Sequence, residues 1–356
     1  MKNKYSFKFG VIVLSLVLIA CSGGSADAGC PEIDGREINV VATTPMIGEF
    51  VSNVGGDNIN LTVLMPPEAD PHTYEPAPQD AGTIADADLV FNTGLMYEPA
   101  PLIELLENSV CGSEALAEVG ESVFPIEFKE GGHDDHHDDH GEKGHDDHDE
   151  EGHDDHDEEG HDDHDEEGHD DHSGHEGHGH GAYDPHFWFD PNRVAYAAEF
   201  IESKLIERDP SNTASYQAAG DAYGIVLNSL TGQVSQLIAS IPSQNRKLIT
   251  THESLGYLEA KFGLEVLSTI IPDLDSSNEI SPSQLVGVID VIEDNNIKVI
   301  FIEAEAPSVY SETIVAETGI KAVEGLWVET LRPGQTYPEF LITAVELIVE
   351  NLTNTD

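Results

Sequence analysis

Residues 213–241 read TASYQAAGDAYGIVLNSLTGQVSQLIASI. Apolar residues recur along this stretch at helical spacing, and only Gly220, Gly224 and Gly232 work against one unbroken helix. The pattern on either side is different. Upstream, residues 38–42 form a buried-strand run, 45–54 suit a helix, 59–64 a second strand, 78–87 a helix with proline in its first turn, and 89–92 a third strand. Residues 192–207 are again helical. Beyond Pro242 the alternation restarts, with strands over 247–251, 265–270, 298–302 and 321–324 and helices from Ser254, over 282–295 and near 307–318. Alternation of this kind implies parallel sheets, and 356 residues are enough for two cores. The expected fold class is therefore α/β: two parallel-sheet lobes, over 36–207 and 243–356, joined by a long rigid helix within 208–242.

The chain opens with Lys2, Lys4 and Lys8 ahead of an apolar run from Val11 to Ala20, so residues 1–20 read as an export signal too short to span a bilayer. The run ends Leu18-Ile19-Ala20-Cys21, followed by Ser22 and a Gly/Ser/Ala stretch. This reads as a bacterial lipoprotein processing site, with Cys21 the lipidated first residue of a linker over 21–35. The alternative is a plain secretory signal with an incidental cysteine. On the first reading the lipid anchor is the only contact with the membrane, outside the cytoplasm, and the folded part stays in water. The remaining cysteines, Cys30 and Cys111, form an even pair that favours a disulfide in an oxidising exterior. Neither sits in a CxxC, as a metal-binding thiol often would.

The formal net charge is −54. Residues 130–181 hold 24 acids and one Lys, and the rest of the chain still carries 45 acids against 14 basic residues. A surface of this sign repels nucleic acid and anionic lipid and attracts cations, so DNA or RNA partners are excluded. The tract over 132–181 repeats GHDDHDEE from Gly144, Gly152 and Gly160, with a broken copy from Gly168. It has almost nothing apolar to bury and is expected to be a disordered insertion in the first lobe.

Fifteen of the eighteen histidines lie in that tract: His133, His136, His137, His140, His145, His148, His153, His156, His161, His164, His169, His172, His175, His178 and His180. Neutral imidazole is a common ligand for zinc and its relatives, so the tract reads as an auxiliary, lower-affinity metal collector; a merely solvated acidic linker is the alternative. The other three are His72 in Asp70-Pro71-His72-Thr73-Tyr74-Glu75-Pro76, His186 in Asp184-Pro185-His186-Phe187-Trp188-Phe189-Asp190-Pro191, and His252 in Thr250-Thr251-His252-Glu253-Ser254. Prolines stiffen the turns around the first two. His72 and His252 follow predicted strands, on the sheet edge where open α/β folds collect ligands. A cleft between the lobes would bring all three together, one ligand short of tetrahedral zinc.

DPHTYEP, DPHFWFDP after an acidic His tract, THESLGYL, and the stretch from Val299 through Phe301-Ile302-Glu303 to Glu317-Thr318-Gly319 together resemble, in order and spacing, the blocks of one family. It is that of the zinc and manganese solute-binding lipoproteins of bacterial ABC importers, the cluster A-I or ZnuA-like proteins. The resemblance implies two α/β lobes bridged by a rigid helix, a metal held between them, an ABC permease as partner, and ligand positions at His72, His186 and His252. The family's last position is usually an aspartate in a Tyr-Ser-Asp-Ser-Leu-like string. Here Leu326-Trp327-Val328-Glu329-Thr330-Leu331 puts Glu329 there, one methylene longer, to bind directly, through water, or to leave the place to solvent.

Within the family, a third-position histidine and a His-rich insertion go with zinc, and three nitrogens favour Zn2+ over Mn2+, which prefers more oxygen. The expected function is capture of Zn2+ and its delivery to an importer. The alternatives are a manganese-binding homologue or, from another class, a secreted zinc hydrolase with an open fourth position. Against the hydrolase, the chain has no HExxH or GxSxG, and only Glu253 offers a base beside His252. Cell adhesion, an activity sometimes attributed to relatives, has no residue here for or against it.

Overall fold

Ile38–Ala42 (β1) consists of branched and small apolar residues apart from the half-buried Asn39, a composition that suits a strand covered on both faces. It pairs in parallel with Ile59–Val63 (β2) and Leu89–Asn92 (β3), and Leu116–Glu118 (β4) completes a sheet of order β2-β1-β3-β4. The computed structural model describes Cys30 and residues 32–33, 35–128, 183–273, 279–305 and 309–353. The export signal, Cys21 and the fifteen tract histidines lie outside the described residues.

Alternation along β1 assigns its two faces. Ile38, Val40 and Ala42 join one apolar cluster with Phe50 and Val54 of Pro45–Gly55 (α1). Val41 joins another with Ile84 of Asp80–Ala85 (α2) and Leu102 and Leu106 of Ala100–Ser109 (α3). Helix α1 starts where Pro45 presets the first turn and Thr44 accepts the Ile47 N–H at 3.2 Å. Pro191–Arg208 (α4) repeats the device, with Asp190 accepting from Asn192 N at 3.0 Å.

Thr213–Ala239 (α5) is a single helix of 27 residues, about 40 Å long at the standard rise. Its buried residues, Tyr216, Tyr223, Leu227, Leu230, Val234 and Ile238, form one stripe. Past it lies the second parallel sheet, order β6-β5-β7-β8, from Lys247–Thr250 (β5), Glu265–Thr269 (β6), Val299–Glu303 (β7) and Lys321–Leu326 (β8). Gly256–Phe262 (α6) follows β5. Ile300 and Ile302 of β7 pack with Val288 and Ile292 of Pro282–Asn295 (α7) and Ile314 of Ser311–Thr318 (α8). Val299 and Phe301 face the opposite way, into the cluster that also holds β1, α1, α4, α5 and Tyr337–Thr353 (α9). One apolar core therefore runs unbroken from sheet to sheet.

Several bounds differ from the sequence pattern. The helix expected over 78–87 is only Asp80–Ala85, because the Asp80 carboxylate accepts from Ala77 N at 2.7 Å and Tyr74 Oη at 3.1 Å and holds the preceding segment extended. The helix expected from Ser254 starts at Gly256, since the Ser254 hydroxyl donates to Glu303 at 3.2 Å instead. Helices α3 and α9 and strand β4 fall in stretches the pattern left unassigned. Cys30 and Cys111 are joined as a disulfide with Cα atoms 4.8 Å apart. Among the described residues no helix is long and apolar enough to cross a membrane.

Candidate metal centre

His72 sits in a single 3-10 turn, Pro71–Thr73, beyond β2, where the Asp70 carboxylate accepts the His72 N–H at 3.0 Å. His186 ends the second Asp-Pro-His, and Asp184 accepts its N–H at 2.8 Å in the same way. Two copies of one local device thus aim two imidazoles. His252 lies two residues past β5 and Glu329 three past β8, both at the carboxyl edge of the second sheet.

The four side chains meet between the lobes. One potential ligand atom from each lies within 4.8 Å of all the others. Glu329 Oε1 is 2.8 Å from His252 Nε2, 3.3 Å from His186 Nε2 and 3.4 Å from His72 Nε2. The edge of a tetrahedron with bonds of about 2.1 Å is about 3.4 Å, so these separations suit a small ion at the centre. Nε2 of His72 and of His252 are buried yet aligned with no hydrogen-bond partner, which leaves their lone pairs to a ligand. The side chains of His186, His252 and Glu329 are at most 1 % exposed and that of His72 is 7 % exposed, so the cluster meets solvent at His72.

The family described as zinc-uptake complex component A, periplasmic, matches residues 40–351. The chain belongs to this ZnuA family. It is 28% identical to the high-affinity zinc uptake system protein ZnuA of Bacillus subtilis and 23% identical to the manganese-binding lipoprotein MntA of Halalkalibacterium halodurans, each alignment covering 99% of both chains. Among solved structures, the periplasmic zinc binding protein TroA from Treponema pallidum superposes with a TM-score of 0.70 at 21% identity, over 89% of this chain and all of that one. The chain is thus a substrate-binding protein of a metal ABC importer and not an enzyme. Glu253, the one base a hydrolase reading had, accepts from Thr269 Oγ1 at 3.2 Å and is not among the four.

Behind the ZnuA-type cluster stand residues whose role sequence reading did not assign. Asp184 Oδ1 lies 2.8 Å from His186 Nδ1, and Glu303 Oε2 lies 2.5 Å from His252 Nδ1. A carboxylate on Nδ1 fixes the tautomer that presents a bare Nε2 and makes it more basic. Glu303 also accepts from His252 N and Ser254 Oγ, each at 3.2 Å. Asp184 was visible in the repeated Asp-Pro-His. Glu303 ends β7 with no local pattern to mark its role.

Two further groups hold Glu329. The Tyr97 hydroxyl donates to its Oε2 at 2.8 Å. Glu305 Oε1 accepts the backbone N–H groups of Val328, Glu329 and Thr330 at 3.1, 3.0 and 3.3 Å, and burial, then the nearby Glu329 charge, raises the Glu305 carboxyl to about 8. No local sequence signal marks either residue, since each acts through a contact far along the chain.

Burial opposes charge on His186, His252 and Glu329, but attraction to neighbouring opposite charges outweighs it. Glu329 is held well below the usual carboxylate range by His186 and His72. Against the same burial, Glu329 and Asp184 raise His186 to about 9, and Glu303 and Glu329 raise His252 well above an ordinary imidazole. Without metal, protons on imidazoles balance the carboxylate.

Proposed function

We propose that this protein captures Zn2+ outside the cytoplasmic membrane, holds it with His72, His186, His252 and Glu329, and delivers it to an ABC permease. The observation that carries this reading is the convergence of three Nε2 atoms on one carboxylate oxygen at 2.8 to 3.4 Å. Three nitrogens and one oxygen suit zinc better than manganese, which takes more oxygen ligands. Relatives are named for both metals, so manganese is the competing cargo. Glu329 serves as fourth ligand in this reading. Its burial argues against a place left to solvent.

The supporting parts follow the sequence. Cys21 carries the lipid that tethers the chain to the membrane. The tract histidines collect zinc at lower affinity near the site, because the described residues flanking the insertion, Glu127 and Tyr183, pair in an isolated antiparallel bridge three residues from His186.

Competition of the metal-free chain against a chromophoric chelator tests the proposal. One tight zinc site is expected, lost in His252→Ala while weaker binding persists. A chain that prefers Mn2+, or an unchanged tight site in His252→Ala, would refute it.

A further inference from the structure

The two oxygens of Glu329 have different surroundings. Oε1 faces all three imidazole Nε2 atoms, whereas Oε2 accepts from the Tyr97 hydroxyl at 2.8 Å. We infer that Tyr97 is a specificity-determining residue: by occupying Oε2 it restricts Glu329 to one-oxygen ligation, which favours four-coordinate Zn2+ over Mn2+. This rests on the ligand set proposed above. Carboxylates can bind hard ions through both oxygens, and Mn2+ prefers six oxygen-rich ligands while zinc is content with four. A donor on the second oxygen therefore penalises the ion that needs it.

The protein fixes Tyr97 firmly. The tyrosine is 2 % exposed, and its ring lies edge-on at 5.2 Å to His72, 5.9 Å to His186 and 5.3 Å to Trp188. The backbone leading to it is in the left-handed region at three consecutive residues, Gly94, Leu95 and Met96, with φ of 74°, 57° and 61°. Glycine adopts that region freely, but Leu and Met do so only where surroundings compel it. The buried Glu98 carboxylate supplies the compulsion by accepting from Thr43 Oγ1, Thr93 N and Gly94 N at 2.7, 2.6 and 3.1 Å. The bond from Tyr97 to Glu329 also crosses the cleft, from the first lobe to the second.

The test is Tyr97→Phe in the full chain, with Zn2+ and Mn2+ affinities measured by chelator competition and the visible spectrum recorded with Co2+. The ratio of Mn2+ to Zn2+ affinity should rise at least about tenfold, as for other outer partners of metal ligands, and the intense absorption of four-coordinate Co2+ should weaken. An unchanged ratio and spectrum, with tight zinc retained, would overturn the inference. Equal zinc binding by the wild type and His252→Ala would instead overturn the ligand set. Zinc-edge X-ray absorption on the wild type needs no variant: four nearest neighbours are expected, and a fifth from a two-oxygen carboxylate would refute the role of Tyr97.

Discussion

The indole N–H of Trp188 donates to the carbonyl oxygen of Val328 at 2.8 Å. Trp188 stands two residues after His186 and Val328 one before Glu329, so a single bond ties the ligand-bearing segments of the two lobes. The Tyr337 hydroxyl donates to the Trp188 carbonyl at 2.7 Å and braces it from α9.

Trp188→Phe keeps an aromatic ring but removes the donor to a buried carbonyl, a change that costs about 2 kcal/mol. Urea unfolding of the metal-free chain should show that loss, and zinc affinity should fall with it because Glu329 is no longer held in register. Lost stability with unaltered zinc affinity would confine the bond to the fold.

The proton on His186 gives pH dependences of opposite sign. Its pKa of about 9 in the folded chain lies above the roughly 6.5 of an unfolded histidine. Stability from a raised pKa is complete below the unfolded value and is lost as pH climbs through the folded one. The melting temperature of the metal-free chain should therefore decline between about pH 7 and about pH 9.5, while zinc affinity increases because less proton has to be displaced. Titration calorimetry in buffers of unlike ionisation heat reads the released proton. Heats independent of buffer would contradict a protonated site.

Deleting 132–181 should leave the tight site intact and remove the weaker zinc equivalents. The flanking residues are already pinned, by the Glu127 and Tyr183 bridge and by the Asp184 N–H donating to Ile126 O at 3.0 Å, so a short join suffices. Equilibrium dialysis counts the ions, and an unchanged stoichiometry would deny the tract a role in zinc binding.

Reduction of the disulfide acts elsewhere. Cys30 and Cys111 are 81 residues apart, and opening a loop of that size costs about 4.5 kcal/mol in the chain-entropy account. The melting temperature should drop while zinc affinity holds, since the bond ties Cys30 to the segment just past α3, beside Ala87 at the amino end of β3 and away from the ligands. Loss of zinc affinity in a still-folded reduced chain would reveal a coupling that this geometry does not provide.

The strands and the long helix were legible because burial imposes a period on them: residues 89–92 and 282–295 were bounded as found. Strand β4 is only three residues long and helix α3 is ten residues with only Leu102 and Leu106 fully buried, so neither announces itself. At the site, His72, His186 and His252 stood out by their turns. Glu329 was placed only by resemblance, and whether it faced the ion depended on packing that local pattern does not encode. Tyr97 and Glu305 act on Glu329 across 232 and 24 residues of chain, a distance at which sequence periodicity carries no information.

The unbroken core also limits how the cargo can leave. Swinging the lobes wide apart would wet Phe187, Trp188, Phe189, Tyr337 and Phe340, all within 1 % of full burial, at about 1.5 to 3 kcal/mol for each large apolar side chain. A gape of that kind is far dearer than breaking the few polar contacts around Glu329. The His72 side chain, 7 % exposed and outside that apolar cluster, marks the edge of the site where water already reaches the four groups without disturbing the core.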